Sequence, residues 1–436
     1  MFVSDCLQVN PSGHLTIGGV DAVALAAQYG TPLYVMDEDT IRANCSKFTQ
    51  SMQKYYGGHG RVVYASKAFC CKRMCRIAAE QGLGLDVVSG GELHTALSAG
   101  VDPSLLVFHG NNKTDAELMQ AVGSGVGTIV VDNLAELERL DAIAGAVGRE
   151  AAILLRVKPG IEAHTHSFVQ TGQIDSKFGF ALETGEALAA VRAAEAATHV
   201  RLDGIHCHIG SQIFDLAPFE LAPEVMMGFL HTVKNAIGRE LPVMNLGGGF
   251  GIRYTEGHNP CPYEQFMERV SAAVHACCER YDMQQPFVVI EPGRSIVGPA
   301  GITLYTVGAI KEIPHVRTYV SVDGGMTDNP RYILYQSEYA ALIANRADEP
   351  KTMAVTLAGR CCESGDLLGE GMPLQKPREG DILAVCATGA YNYSMASNYN
   401  RVPRPPVVMV RDGKPYLAVR RETYEDLLAC DLDTVE

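Results

Sequence analysis

Short, mainly apolar runs recur through the first two thirds of the chain, at 62–65, 84–88, 105–108, 128–131, 153–157, 203–207, 243–246 and 287–290. Runs of this length without polar alternation are the signature of strands buried on both faces. Between them lie segments with helical spacing of apolar positions, such as AELERLDAIAGAV and EALAAVRAAEAA. Each run but the last is followed by such a segment. Eight alternating units over roughly 250 residues predict a parallel (β/α)8 TIM-like barrel, with an open doubly wound sheet as the alternative α/β architecture. Before this rhythm, DAVALAAQYG reads as a helix ended by Gly30 and Pro32. After about residue 293 the pattern changes. ITLYTVGAIKEI, RTYVSVDGG, KTMAVTLAGR, GDILAVCATGA and PPVVMVRDGKPYLAVRRE carry β-branched residues and turn formers, the mark of antiparallel strands. The division expected is a barrel over 34–292 and a mainly antiparallel β-sandwich or barrel-like domain over 1–33 and 293–436.

Composition narrows the function classes. At 436 residues the chain exceeds one core, in agreement with two domains. A net charge of −14 argues against a protein that grips nucleic acid through its phosphates. No apolar stretch is long enough to span a bilayer, and MFVSDCLQVN has no basic segment leading into an apolar run, so no membrane partner is expected. The 13 cysteines are odd in number, several are adjacent, and none forms a CxxC pair. That is neither a disulfide framework nor a zinc knot, and it suits a reducing, cytoplasmic compartment.

In a barrel of this type chemistry collects at the C-terminal ends of the strands. There the sequence places Ser66 and Lys67 in YASKAF, Asp86 before SGGEL, HGNNK, HCHIGSQ, LGGGFG and EPGR. Lys67 is either a solvated strand end or an amine for a carbonyl compound. His206 and His208 share a side under strand periodicity, as metal ligands do, but no further ligands follow, so no metal is expected; a flat ring against His208 is the better use. Gly247, Gly248 and Gly249 make either a tight turn or an anion cradle, and the spacing is not that of a dinucleotide fingerprint. Glu291, pointing inward, needs either a neighbouring Arg or Lys or a bound positive group such as a protonated pyridine nitrogen.

An amine for an imine, glycines for a phosphate, a carboxylate for a ring nitrogen and a histidine for a ring face together describe a pyridoxal phosphate site. In TPLYVMDED, YASKAF, DVVSGGEL, HGNNKT, SKFGF, HCHIGSQ, LGGGFG, EPGR, CCESGD and GAYNYSMASNYN, which run in order from Thr31 to Arg401, the chain resembles the fold type III, alanine-racemase-like enzymes. Among these it is most similar to the diaminopimelate decarboxylases. The resemblance implies that Lys67 holds pyridoxal 5'-phosphate as an imine and His208 stacks on its ring. It further implies that Glu291 keeps the ring nitrogen protonated, with Asp86 also at the cofactor. Ser211, the backbone of Gly247, Gly248 and Gly249, and the 291–294 turn with Gly293 and Arg294 would surround the phosphate.

The same resemblance implies that Cys362 returns the proton from the partner subunit, so that a homodimer shares its active sites. Adjacent Cys361 would be a small buried hydrophobe. Arg294, Arg331 and Tyr335 would take the distal carboxylate of meso-2,6-diaminopimelate, Glu363 its distal ammonium, and Tyr391 both cofactor and substrate. The implied reaction is decarboxylation to L-lysine and carbon dioxide, the closing step of lysine biosynthesis. Two alternatives stay open: a decarboxylase of another basic amino acid or a carboxylated polyamine precursor, and a homologue that only binds. Phe69 stands where the family commonly has Asn, and Cys70, Cys71 and Cys75 are spaced for a redox role that the sequence does not decide.

Overall fold

A computed structural model describes residues 2–161 and 176–433 and divides the chain into two compact units. One comprises residues 44–251 and 260–295; the other comprises 1–43, 252–259 and 296–436.

The first unit is the barrel. Strands Gly60–Ala65, Gly84–Val87, Leu106–Phe108, Thr128–Val131, Ala151–Lys158, Val200–His206, Val243–Asn245 and Phe287–Ile290 pair in parallel, each with the next, and the eighth pairs with the first to close the ring. Val63, Val107, Val130, Leu154 and Val289 pack together as one core cluster. Helices follow the first seven strands: Lys72–Glu80, Gly90–Ser98, Asp115–Ser124, Leu134–Val147, Glu186–Ala196, Ala217–Ile237 and Tyr263–Tyr281. Several start on side-chain caps that satisfy first-turn amides. Ser89 accepts from Glu92 N, Thr114 forms a capping box with Glu117, and Asn133 accepts from Glu136 N. Such caps fix the helix starts close to the strand ends where the polar motifs sit.

The second unit is built on a mainly antiparallel sheet. Its order is Leu367–Leu374, Met353–Ala358, Arg317–Val322, Gly301–Ile313, Leu33–Asp37, Val407–Arg411 and Lys414–Val419, with Ile382–Cys386 joining Gly301–Ile313 and carrying Ala341–Ile343. Two of the pairings are parallel, Arg317–Val322 with Met353–Ala358 and Leu33–Asp37 with Val407–Arg411. A smaller sheet of Leu7–Val9, Leu15–Ile17 and Val20–Asp21 precedes helix Ala22–Tyr29, whose first turn is capped by Asp21. The helix ends at Gly30, followed by the cis Thr31-Pro32 bond.

The boundary at residue 34 needs correction. Leu33–Asp37 lies between two strands of the β unit, because its apolar run is buried there against Gly301–Ile313 and Val407–Arg411. Residues 252–259 also belong to that unit, where Ile252 and Tyr254 join the core cluster with Leu304, Val320 and Leu383.

Candidate active site

Four barrel strands end in polar side chains that meet at Glu291. The eighth strand, Phe287–Ile290, is apolar to its last residue, and Glu291 is the first residue beyond it. His109 follows the third strand directly and is fixed by its backbone N–H on Val87 O at 2.8 Å. His206 and Asn245 are the last residues of the sixth and seventh strands. Glu291 Oε1 accepts from His109 Nε2 at 2.7 Å and from Asn245 Nδ2 at 2.7 Å, and Oε2 accepts from His206 Nε2 at 3.2 Å. The orientation of the Asn245 amide is fixed because its Oδ1 accepts from Gly247 N at 2.9 Å. All four residues are buried.

Electrostatics then assigns the charges. Burial pushes the Glu291 carboxyl up, but the His109 and His206 donors overcome it and hold the group well below the usual carboxylate range. Burial pulls His109 down, and the nearby Asp86 and Glu291 carboxylates raise it above its ordinary value. His206 is driven down to about 4, chiefly by burial. The cluster therefore combines a carboxylate held low, a histidine whose protonated form is favoured by its carboxylate neighbours, and a neutral imidazole at His206. Asp86 ends the same rim 3.8 Å from His109 Nε2, and burial, against the pull of His109, pushes it up to about 6.

Lys67 sits in the 3-10 turn Ser66–Ala68, which follows the first strand and precedes helix Lys72–Glu80. Its neighbours Ser66, Ala68 and Phe69 are buried while Lys67 itself is exposed. Phe69 therefore anchors the turn in the core, and its carbonyl accepts from Tyr64 Oη at 3.0 Å. The EPGR turn lies against this one: Ala65 N donates to Pro292 O at 3.2 Å, and a Cβ on Gly293 would fall 2.9 Å from Ala65 Cβ. Only glycine permits that approach.

His208 lies just past the sixth strand, half-buried, with Nδ1 accepting from Gly248 N at 3.2 Å. That bond sets the tautomer and puts the proton on Nε2. Burial, then the Lys67 and Arg156 charges, hold its pKa well below the usual histidine range. Gly247 and Gly248 thus spend their N–H groups inside the loop, on Asn245 and His208, while Gly249 N–H takes no partner among the described residues. A Cβ on Gly248 would lie 2.2 Å from Glu291 O. Beside the loop, buried Arg294 donates from Nη2 to Ser211 Oγ at 2.8 Å.

The remaining expected residues lie in the β unit, in two groups. Arg331 opens helix Arg331–Tyr335 and is buried, with its guanidinium 5.1 Å from the Tyr335 ring centre and 5.2 Å from that of Tyr391. Tyr391 holds φ 67°, the left-handed region that a side chain rarely adopts. Cys362 and Glu363 are exposed on a loop shaped by buried Asp366, which accepts from Cys361 N at 2.7 Å and Met326 N at 2.6 Å. Cys362 N donates to Asn400 Oδ1 at 2.9 Å. Cys361 is half-buried rather than buried, because its backbone turns with Asp366 at the loop base; burial and the Asp366 charge push its thiol up to about 12.

Sequence reasoning gave no role to His109 or Asn245 and considered His206 only as a metal ligand. A polar Asn inside the otherwise apolar run 243–246 is the available signal. Among the described residues, His109, His206 and Glu291 do bring donor atoms within 4.8 Å of one another, as a metal site would. Both Nε2 atoms, however, lie within hydrogen-bond distance of the carboxylate, which as an anion can only accept from them.

The profile of the pyridoxal-dependent decarboxylases' pyridoxal binding domain matches residues 38–298. The chain is 51% identical over 436 residues to diaminopimelate decarboxylase of Halalkalibacterium halodurans, covering 100% of this chain and 99% of that protein. It is 50% identical to the Bacillus subtilis diaminopimelate decarboxylase over 432 residues, covering 99% and 98%. A crystal structure of diaminopimelate decarboxylase from M. jannaschii in complex with L-lysine superposes with a TM-score of 0.91 at 35% identity, covering 100% of this chain and 99% of that one.

Proposed function

The chain belongs to the pyridoxal-dependent decarboxylases, within them to the diaminopimelate decarboxylases, and we propose that it converts meso-2,6-diaminopimelate to L-lysine and carbon dioxide with pyridoxal 5'-phosphate. The observation that carries the site reading is Glu291, a buried carboxylate held as an anion with acceptor capacity to spare. Such a group suits a protonated ring nitrogen. The rim fits the rest of the cofactor: Lys67 is the exposed amine that would hold it covalently, and His208, its ring fixed by Gly248, would face the pyridine ring. Arg294, Ser211 and the free Gly249 N–H would bind the phosphate, with Asp86 close to the ring side of the site.

When bound, pyridoxal phosphate supplies the electron sink that accepts the pair left behind as the carboxylate departs. The protein supplies position and protons. Cys362 would act as the general acid that donates the proton to Cα. Arg331, framed by Tyr335 and Tyr391, would pair with the distal carboxylate together with Arg294, and Glu363 would pair with the distal ammonium. The exposure of Cys362 and Glu363 supports their serving the partner subunit of a homodimer. All 13 cysteines are free, in keeping with a cytoplasmic setting, and no helix among the described residues is long and apolar enough to cross a membrane.

Carbon dioxide release from meso-diaminopimelate, L-lysine and L-ornithine tests the reading. Release from diaminopimelate alone is expected, and Arg331→Ala should raise its KM roughly ten- to a hundredfold. Release from ornithine or lysine, untouched by Arg331→Ala, would reassign the substrate.

A further inference from the structure

We propose that His109, His206 and Asn245 are positioning residues for Glu291, fixing it as an anion with one acceptor direction left on Oε2 for the protonated ring nitrogen of pyridoxal phosphate. The inference rests on the cofactor reading above and names the residues that make it work. An ionised carboxylate offers about four acceptor directions. Three are taken, two on Oε1 by His109 and Asn245 and one on Oε2 by His206. The donors come from three different strands, so the carboxylate can neither rotate nor swing toward solvent without breaking bonds to separate parts of the barrel.

The three have distinct duties. Asn245 sets the plane of the carboxylate, because its own amide is locked by Gly247 N. His206 supplies an uncharged N–H; its Nδ1 is buried with no partner, which favours the tautomer that donates to Glu291. His109 makes one of the two shortest contacts to Glu291, and Asp86, 3.8 Å from the same Nε2, places a second carboxylate beside it that favours its protonated form. Arg156, whose guanidinium acts on His109, His206 and Glu291, adds a further positive field from the fifth strand. The thiol of Cys207, pushed up to about 12 by burial, stays neutral beside them. Without these donors a carboxylate at this depth would bind a proton, and a neutral acid does not hold a ring nitrogen charged. A metal on the same atoms would require the histidine Nε2 lone pairs that now carry protons.

The test uses the full-length protein loaded with pyridoxal phosphate labelled with 15N in the ring. Wild type, His109→Gln, His206→Gln and Asn245→Ala are compared by the ring-nitrogen resonance, the cofactor dissociation constant, the melting temperature of the apoprotein and bound zinc. The expected result is a protonated ring nitrogen in wild type across neutral pH. In His109→Gln, which keeps an N–H donor but can carry no charge, the resonance moves toward the unprotonated position. His109→Gln and Asn245→Ala should bind the cofactor roughly ten- to a hundredfold more weakly, and His206→Gln, which keeps an uncharged N–H donor, should lose less. If His109→Gln does not fold, Asn245→Ala, which removes the other donor to Oε1, carries the comparison. The proposal is overturned if folded variants keep the wild-type resonance and affinity, with only the melting temperature lowered, or if wild type holds stoichiometric zinc that His206→Gln loses. Wild type that binds no cofactor would instead remove the reading beneath it.

Discussion

Two buried charge clusters in the same barrel draw on one short stretch, HGNNK, and they differ in what they leave unused. Lys113 is fully buried and spends its three donors on Gly110 O at 2.8 Å, Val130 O at 2.7 Å and Glu136 Oε1 at 2.7 Å. Burial pulls the lysine down and pushes the glutamate up, and each charge offsets part of the other's shift. No donor of that ammonium remains for a ligand, so the pair holds the third strand's loop to helix Leu134–Val147. Four residues earlier, His109 feeds Glu291, which still has room to accept. Buried charge alone therefore does not mark a functional site; capacity left over after the protein's own bonds are counted does.

The largest separation between the clusters should come from Lys113→Met. It leaves Glu136 buried without its cation, a loss of about 3–5 kcal/mol of unfolding free energy. Urea unfolding of the apoprotein measures it, and the turnover per folded molecule should match wild type. Glu291→Gln should do the converse, lowering kcat roughly a hundred- to a thousandfold by removing the charge proposed to face the ring nitrogen, while the urea midpoint moves far less. A Glu291→Gln enzyme with near wild-type kcat, or a Lys113→Met enzyme that is stable and inactive, would erase the distinction.

The barrel strands were legible because parallel strands buried on both faces leave uninterrupted apolar runs, and the run at 287–290 matches Phe287–Ile290. The strand Leu33–Asp37 is just as apolar, but its partners lie at Gly301–Ile313 and Val407–Arg411, and nothing local in TPLYVMD says which sheet it joins. The same holds for residues 252–259, whose unit is decided by the burial of Ile252 and Tyr254. At the site, motif order picked out Lys67, His208, Glu291 and Arg294. The support of Glu291 escaped because it is assembled from the ends of three strands far apart in sequence. His109 sat inside a motif that was noted, yet only distance shows that it faces Glu291 and Lys113 does not.

The smallest effect sharpens the comparison from within the open cluster. His206, at about 4, lies below its ordinary 6.5, so the unfolded chain takes up a proton there first and stability is lost as pH falls from about 6.5 toward 4. Asp86, at about 6, lies above its ordinary 3.8, so the unfolded chain releases its proton first and stability is lost as pH rises over nearly the same window. Glu291, held low, and His109, held high, titrate largely outside it. In the wild-type apoprotein the two slopes oppose each other. Removing one exposes the other: relative to wild type, His206→Gln should lose about 2 kcal/mol between pH 4.5 and 6.5, and Asp86→Asn should gain about as much. Urea midpoints at the two pH values read both signs. Equal slopes in the two variants would mean that the rim does not hold these groups in opposed charge states, and that the open cluster is as electrostatically settled as the Lys113–Glu136 pair.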